Sequence, residues 1–154
     1  MTGASDRIEI EVESDDGRYH RQSLITWWDQ TRLAEARVIV VGAGALGNEV
    51  VKNLALMGVG HLTVVDIDRI ENSNLARCVF FREEDEGRFK AEVLAERASA
   101  MNPEIEIEAV VGDVRVALGL GAFLDADLAV GGLDNREARL YVNGGCQETI
   151  VEGV

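Results

Sequence analysis

Continuous β-branched runs alternate along the chain with segments whose apolar residues recur at helical spacing. Arg37 to Val41 is such a run. It stops at Gly42 and predicts a strand covered on both faces. Ala45 to Met57 predicts a helix closed by Gly58 and Gly60, and His61 to Asp66 a second strand. Glu86 to Met101 predicts a helix that breaks at Asn102-Pro103. Ile105, Ile107 and the Val110-Val111 pair mark a third strand, Leu128 to Val130 a fourth, and Thr149 to Val151 the start of a fifth. Ala117 to Leu124 and Asn135 to Cys146 predict helices between them, while Asn72 to Phe81 is irregular. Near the N-terminus, Arg21 to Ala36 predicts one helix that buries Leu24, Ile25, Trp27, Trp28 and Leu33, with the tryptophans as packing anchors.

Strands that alternate with helices dictate an α/β fold: a Rossmann-like parallel sheet flanked by helices, joined by right-handed crossovers. With 154 residues there is room for one domain. That domain spans residues 18–154, and residues 1–17 form an acidic N-terminal tail. In the tail Ile8, Ile10 and Val12 alternate with Glu9, Glu11 and Glu13, which fits either a short amphipathic strand or a mobile acidic segment. Because the last strand falls at the chain end and leaves a sheet edge to cover, the domain is expected to be truncated.

Composition narrows the function. A net charge of −13 argues against a duplex-binding surface, which needs a basic footprint. No run reaches the roughly 18 apolar residues of a membrane span. Met1 to Asp16 lacks the charged-then-apolar order of a signal peptide, so a cytoplasmic protein is expected. Two cysteines without a CxxC give neither a disulfide framework nor a cysteine-rich zinc site. Cys78 beside Arg77 and Cys146 on a helix are read as buried, inert thiols, and His20 and His61 have no metal-ligand spacing.

The chemistry begins at Gly42-Ala43-Gly44-Ala45-Leu46-Gly47, a GxGxxG between a strand and a helix. Gly42 permits the turn, Gly44 lets phosphate approach the backbone, and Gly47 lets helix and strand pack closely. The helix N-terminus offers free amides and partial positive charge. Asp66 ends the next strand, where an acid holds ribose hydroxyls. A glycine loop alone does not separate ATP from NAD. The segment after it does: Asp66-Ile67-Asp68, then Ser73-Asn74-Leu75-Ala76-Arg77, Lys90 at a helix start, and Gly132-Leu133-Asp134-Asn135 after the fourth strand. A dehydrogenase needs a hydride site, and none is identifiable. Attack of a carboxylate on the α-phosphorus of ATP builds charge on phosphate oxygens, which Arg and Lys stabilise. Magnesium takes a carboxylate together with phosphate oxygens.

On these residues the chain resembles the ThiF/MoeB/HesA superfamily of ubiquitin-like-protein activators. The likeness runs from Arg18-Tyr19-His20-Arg21-Gln22 through Gly42–Gly47, Asp66–Arg77 and Lys90 to Asp134-Asn135. The resemblance implies ATP-dependent adenylation of the C-terminal glycine carboxylate of a ubiquitin-like or sulfur-carrier protein. It implies nucleotide contacts at Gly42, Ala43, Gly44, Gly47, Asp66 and Asp68, with Asp66 on the ribose. Asn74, Arg77 and Lys90 would meet phosphates, Asp134 would hold magnesium, and Arg21 would reach the ATP site of a neighbouring subunit. Arg77, Lys90 and Asp134 are then the catalytic set. A homodimer, or a complex with a longer partner, follows. Ala76 and Cys78 depart from the family's more polar pattern. The carrier-binding sheet, paired CxxC motifs and any catalytic cysteine are expected beyond Val154. The rival functions are a non-catalytic partner subunit of such an enzyme and an NAD-binding oxidoreductase.

Overall fold

The structure is a computed structural model and describes residues 17–152. The alternating segment at Ile8, Ile10 and Val12 lies outside the described residues. Strands β1 (Arg37–Val41), β2 (His61–Asp66), β3 (Glu106–Val111) and β4 (Leu128–Gly131) form one parallel sheet in the order β3-β2-β1-β4. The register pairs Val41 with Val65 and with Gly131, and Asp66 with Val111. All four carboxyl ends therefore share one edge of the sheet.

β1 is apolar at successive positions because both of its faces are covered. Val38 and Val40 pack with Val64, Val51, Ala55 and Leu94, and so face the helices α3 (Ala45–Met57) and α4 (Lys90–Met101). Ile39 and Val41 pack on the opposite face with Val65, Val114, Phe123, Ala138 and Val142. That second layer comprises α5 (Val114–Ala117), α6 (Leu120–Leu124) and α7 (Arg136–Glu152). Burying each such valine contributes about 1.5–3 kcal/mol before chain entropy is counted. From β1 the chain steps outward to β2 and β3, then returns to place β4 on the other side of β1. That reversal opens a crevice at the carboxyl ends of β1 and β4, where open α/β sheets bind ligands.

The N-terminal arm packs at the opposite end of the sheet. The Asn102 Nδ2 donates to the Tyr19 hydroxyl at 2.8 Å and to the Ala55 carbonyl at 2.8 Å. Gln30 Nε2 donates to the Met57 carbonyl. Gly58 closes α3 in the left-handed region (φ +76°), and a side chain there would run into the Tyr19 ring.

The single helix expected from Arg21 to Ala36 is two short ones, α1 (His20–Ser23) and α2 (Gln30–Glu35). Asp29 separates them: its backbone is extended and its carboxylate accepts the Arg32 N–H, an N-cap that starts a new helix. Trp27, expected to be buried, is 78% exposed. The fifth strand expected at Thr149 to Val151 is instead the last part of α7. A helix already nucleated gains one bond per added residue, and this outweighs the strand preference of a short β-branched run. The helix expected from Glu86 begins at Lys90. Gly87 is left-handed there (φ +81°), and Arg69 and Phe89 form an antiparallel bridge. The helix expected from Ala117 to Leu124 is split at Leu118-Gly119 into α5 and α6. Among the described residues no helix is long and apolar enough to cross a membrane.

Candidate functional site

The loop after β1 is shaped by glycine. Gly42 has φ +99°, and a Cβ on it would lie 2.9 Å from the Gly132 carbonyl oxygen. A Cβ on Gly47 would lie 1.8 Å from the Gly42 carbonyl oxygen, so the first turn of α3 rests directly on the loop. Gly44, the N-cap of α3, meets nothing within 4 Å at the position its Cβ would take. The backbone here faces open space, and the first amides of the helix have no intrahelical partner. Exposed donors, no side chain in the way and the positive end of a helix dipole suit such a backbone to an anion like phosphate.

Asp66, at the end of β2, braces the loop. Its Oδ2 accepts the Ala43 N–H at 2.6 Å and its Oδ1 accepts the Asp68 N–H at 2.7 Å. Ala43 thus serves the site through its bond to Asp66 and is itself fully buried. Burial pushes the Asp66 carboxyl above its ordinary value, against the opposing pull of the two N–H bonds and of Lys90. Each carboxylate oxygen retains a lone pair for a ribose hydroxyl.

The crossover from β2 to α4 brings the cations. Lys90 Nζ donates to Asp68 Oδ2 at 2.9 Å, and the Lys90 N–H donates to the Asp68 carbonyl at 3.0 Å. Asn74 is buried and its Oδ1 accepts the Glu71 N–H, closing the turn Asn72–Asn74. Its carbonyl accepts the N–H groups of Arg77 and Cys78. Arg77 is exposed, lines the cavity and spends one nitrogen on the Ser73 carbonyl at 2.9 Å, which leaves its other donors available. Cys78 is buried, and that burial raises its thiol above the ordinary range despite Arg77 beside it.

On the other side of β1, the turn after β4 carries Asp134. It is exposed, and its carboxylate takes part in no hydrogen bond or ion pair with the described residues. Arg139 Nε holds the adjacent Leu133 carbonyl at 2.7 Å. The cavity these groups enclose is about 560 Å³ and is lined by Gly44, Asp66, Asp68, Asn74, Arg77, Lys90 and Asp134 among others. That is the size of a small-molecule site. The donor set fits a nucleoside triphosphate: an acid for ribose, a helix N-terminus and two cations for phosphates. Magnesium fits with it, because the ion keeps several waters and needs only one or two carboxylates beside the phosphates. Asp134 is the carboxylate in the cavity with no partner among the described residues. No cluster of three or more acidic, histidine or cysteine ligands exists among the described residues.

Gly42, Gly44, Asp66, Asp68, Asn74, Arg77, Lys90 and Asp134 therefore come together at one cavity, with Gly47 and Ala43 behind the loop. Arg21 does not join them. It is exposed on α1, beside the Tyr19–Asn102 contact at the amino end of the sheet.

Three features of the site carry no assigned role in the sequence reading. Gly132 admits the Gly42 carbonyl, and a glycine directly after a strand was the available signal. Asp113 caps α5 and lines the cavity, and Arg115 holds its carboxyl down at about 2. Asn48 sits inside α3 with no exposed surface, and helical spacing alone gives it no distinction.

The chain matches the ThiF family model over residues 18–153. It is 45% identical over 127 residues to Ubiquitin-activating enzyme E1 1 of Arabidopsis thaliana, a match that covers 76% of this chain and 12% of that protein. It is 41% identical over 129 residues to the Sulfur carrier protein adenylyltransferase of Thermus thermophilus, covering 82% of this chain and 48% of the relative. Among solved structures, E. coli MccB with MccA-N7isoASN superposes with a TM-score of 0.72 at 29% identity, over 88% of this chain and 41% of that one. E. coli MccB with AMPCPP and MccA superposes with a TM-score of 0.69 at 31% identity, over 86% and 42%. The chain thus spans less than half the length of these relatives and structures. Glycine loop, strand-end acids and paired cations occur here in one Rossmann-like crevice, over a match that runs almost from end to end, and the chain belongs to the ThiF family.

Proposed function

We propose that the site binds ATP with magnesium and adenylates the C-terminal glycine carboxylate of a ubiquitin-like or sulfur-carrier protein. The observation that carries this reading is the convergence of the open Gly44 backbone, Asp66, Arg77, Lys90 and an Asp134 carboxylate unpaired among the described residues on one cavity. In the proposed step a carboxylate oxygen of the carrier attacks the α-phosphorus. The bond from that phosphorus to the oxygen bridging the α- and β-phosphates breaks, and pyrophosphate leaves with the electron pair. The product is an acyl adenylate. Asp66 holds the ribose. Asn74, Arg77 and Lys90 bear on the phosphates and offset the charge that grows on them. Asp134 is the residue that would hold magnesium, which when bound neutralises charge on the phosphates.

Arg21 enters through a second subunit in this reading. Its distance from its own cavity suits a residue that serves a neighbour's site, in a homodimer or in a complex with a longer partner. The AMPCPP named with MccB supports an adenine nucleotide as ligand.

Calorimetry with ATP–magnesium and with NAD tests the ligand. ATP–magnesium is expected to bind the tighter of the two, because NAD leaves Arg77, Lys90 and Asp134 without a triphosphate to engage. Tighter binding of NAD would overturn the proposal.

A further inference from the structure

The glycine loop and the crossover that carries Arg77 belong to different elements, and something must fix the distance between them. A triphosphate that lies on α3 amides and reaches Arg77 senses that distance directly, since misplacement of about 1 Å costs catalysis heavily. Between the two stands Asn48, in the first turns of α3 and fully buried. Its Nδ2 donates to the Ala43 carbonyl at 2.9 Å and to the Gly44 carbonyl at 3.1 Å. Its Oδ1 accepts the Phe80 N–H at 3.0 Å. Phe80 is three residues past Arg77, on the segment that turns about the Asn74 carbonyl. One carboxamide thus uses its acceptor on the crossover and its donors on the glycine loop. No other side chain among the described residues hydrogen-bonds both segments. A buried side chain chosen only to fill space at this point would be apolar, as Val51 and Ala55 are on the same helix.

We infer that Asn48 is a positioning residue of the nucleotide site: its side chain ties the glycine loop to the Arg77 crossover and sets the separation at which both meet one triphosphate. The inference rests on the adenylation-site reading for its ligand, but the bridge itself does not. Asn48 is fully buried and does not line the cavity. It acts through Ala43 and Gly44 on one side and through Phe80 and Arg77 on the other.

Two variants separate this role from mere stability. Asn48→Ala removes every bond. Asn48→Ser keeps a hydroxyl that can return to the Gly44 carbonyl within the helix but cannot span to Phe80. The full chain is used, with ATP–magnesium and adenosine as probes. Both variants are expected to weaken ATP–magnesium by about tenfold, as loss of a buried, satisfied bond does, and to leave adenosine within about twofold, since adenosine does not reach Arg77. In an Arg77→Ala background, the Asn48 substitutions are expected to cost little further ATP affinity, because a contact that acts through Arg77 is already gone. Hydrogen exchange at residues 77–80 is expected to quicken in both variants while β1 and β2 stay protected. Equal losses for ATP and adenosine, or losses that simply add to Arg77→Ala, would overturn the inference. If the parent chain binds no ATP, the adenylation reading fails. The exchange measurement then decides alone: unchanged protection at residues 77–80 in the serine variant sinks the bridge, and quickened exchange sustains it.

Discussion

Asp134 differs from every other acid at the cavity in one respect. Asp66 is bonded to two backbone amides, Asp68 to Lys90, and Asp113 to Arg115, whereas the Asp134 carboxylate has no partner among the described residues. An exposed carboxylate left unpaired beside a site that lacks no cations is suited to a charge that arrives with the ligand. If it holds magnesium on the transferring phosphate, its contribution should be larger in the transition state than in the ground state. Asp134→Asn is therefore expected to slow carrier-dependent ATP–pyrophosphate exchange by about 10²–10³. ATP affinity should change far less, because Gly44 and Asp66 remain. Exchange at the parental rate would remove Asp134 from the mechanism. At this scale three positions were legible: Asp66 ends β2, Lys90 starts α4 and Asp134 follows β4. Arg77 stands in the turn after Asn72–Asn74, where no strand end or helix start marks it. Asn48 was not legible, because its importance lies in a bond to Phe80, thirty-two positions away, and no local pattern encodes that contact.

The elements were readable where packing and local preference agree. β1 and β2 are β-branched and buried, and they fall where their composition places them. The arm was misread because Leu24, Ile25, Trp27 and Trp28 keep helical spacing although Asp29 caps a new helix after them. The C-terminal part of α7 was misread for the converse reason: a β-branched run lies inside a helix that had already formed. That helix runs through Gly144-Gly145, which would ordinarily weaken it, and a Cβ at Gly145 would lie 3.1 Å from the Phe123 ring. The glycine lets α7 lie against α6. The same logic makes the glycine loop brittle. Gly47→Ala would press a methyl into the Gly42 carbonyl and force α3 away from β1. Loss of measurable ATP binding is expected, together with a lower melting temperature by calorimetry. A variant with parental affinity would show that α3 does not need to rest on the loop.

For the whole molecule, the question is how two ends of one sheet relate. The cavity opens at the carboxyl ends of the strands, and Arg21 stands near the amino ends. The proposal that Arg21 works across a two-fold axis makes a definite demand. Chains bearing Arg21→Ala and chains bearing Asp134→Asn should each be nearly inactive, yet a mixture should recover exchange activity. In the mixed dimer the first chain keeps an intact cavity and the second supplies the arginine. Absence of recovery, with mixed dimers verified by light scattering and mass, would place Arg21 outside the site.

The arm that carries Arg21 also holds both tryptophans of the chain, with ring centroids 6.1 Å apart. Trp27 faces solvent and Trp28 is half-buried, its indole N–H donating to Gln30. No other indole exists in the protein, so its tryptophan fluorescence originates wholly at the end of the sheet away from the cavity. The emission colour of the unlabelled protein is therefore a local report on whether that arm is wet or covered.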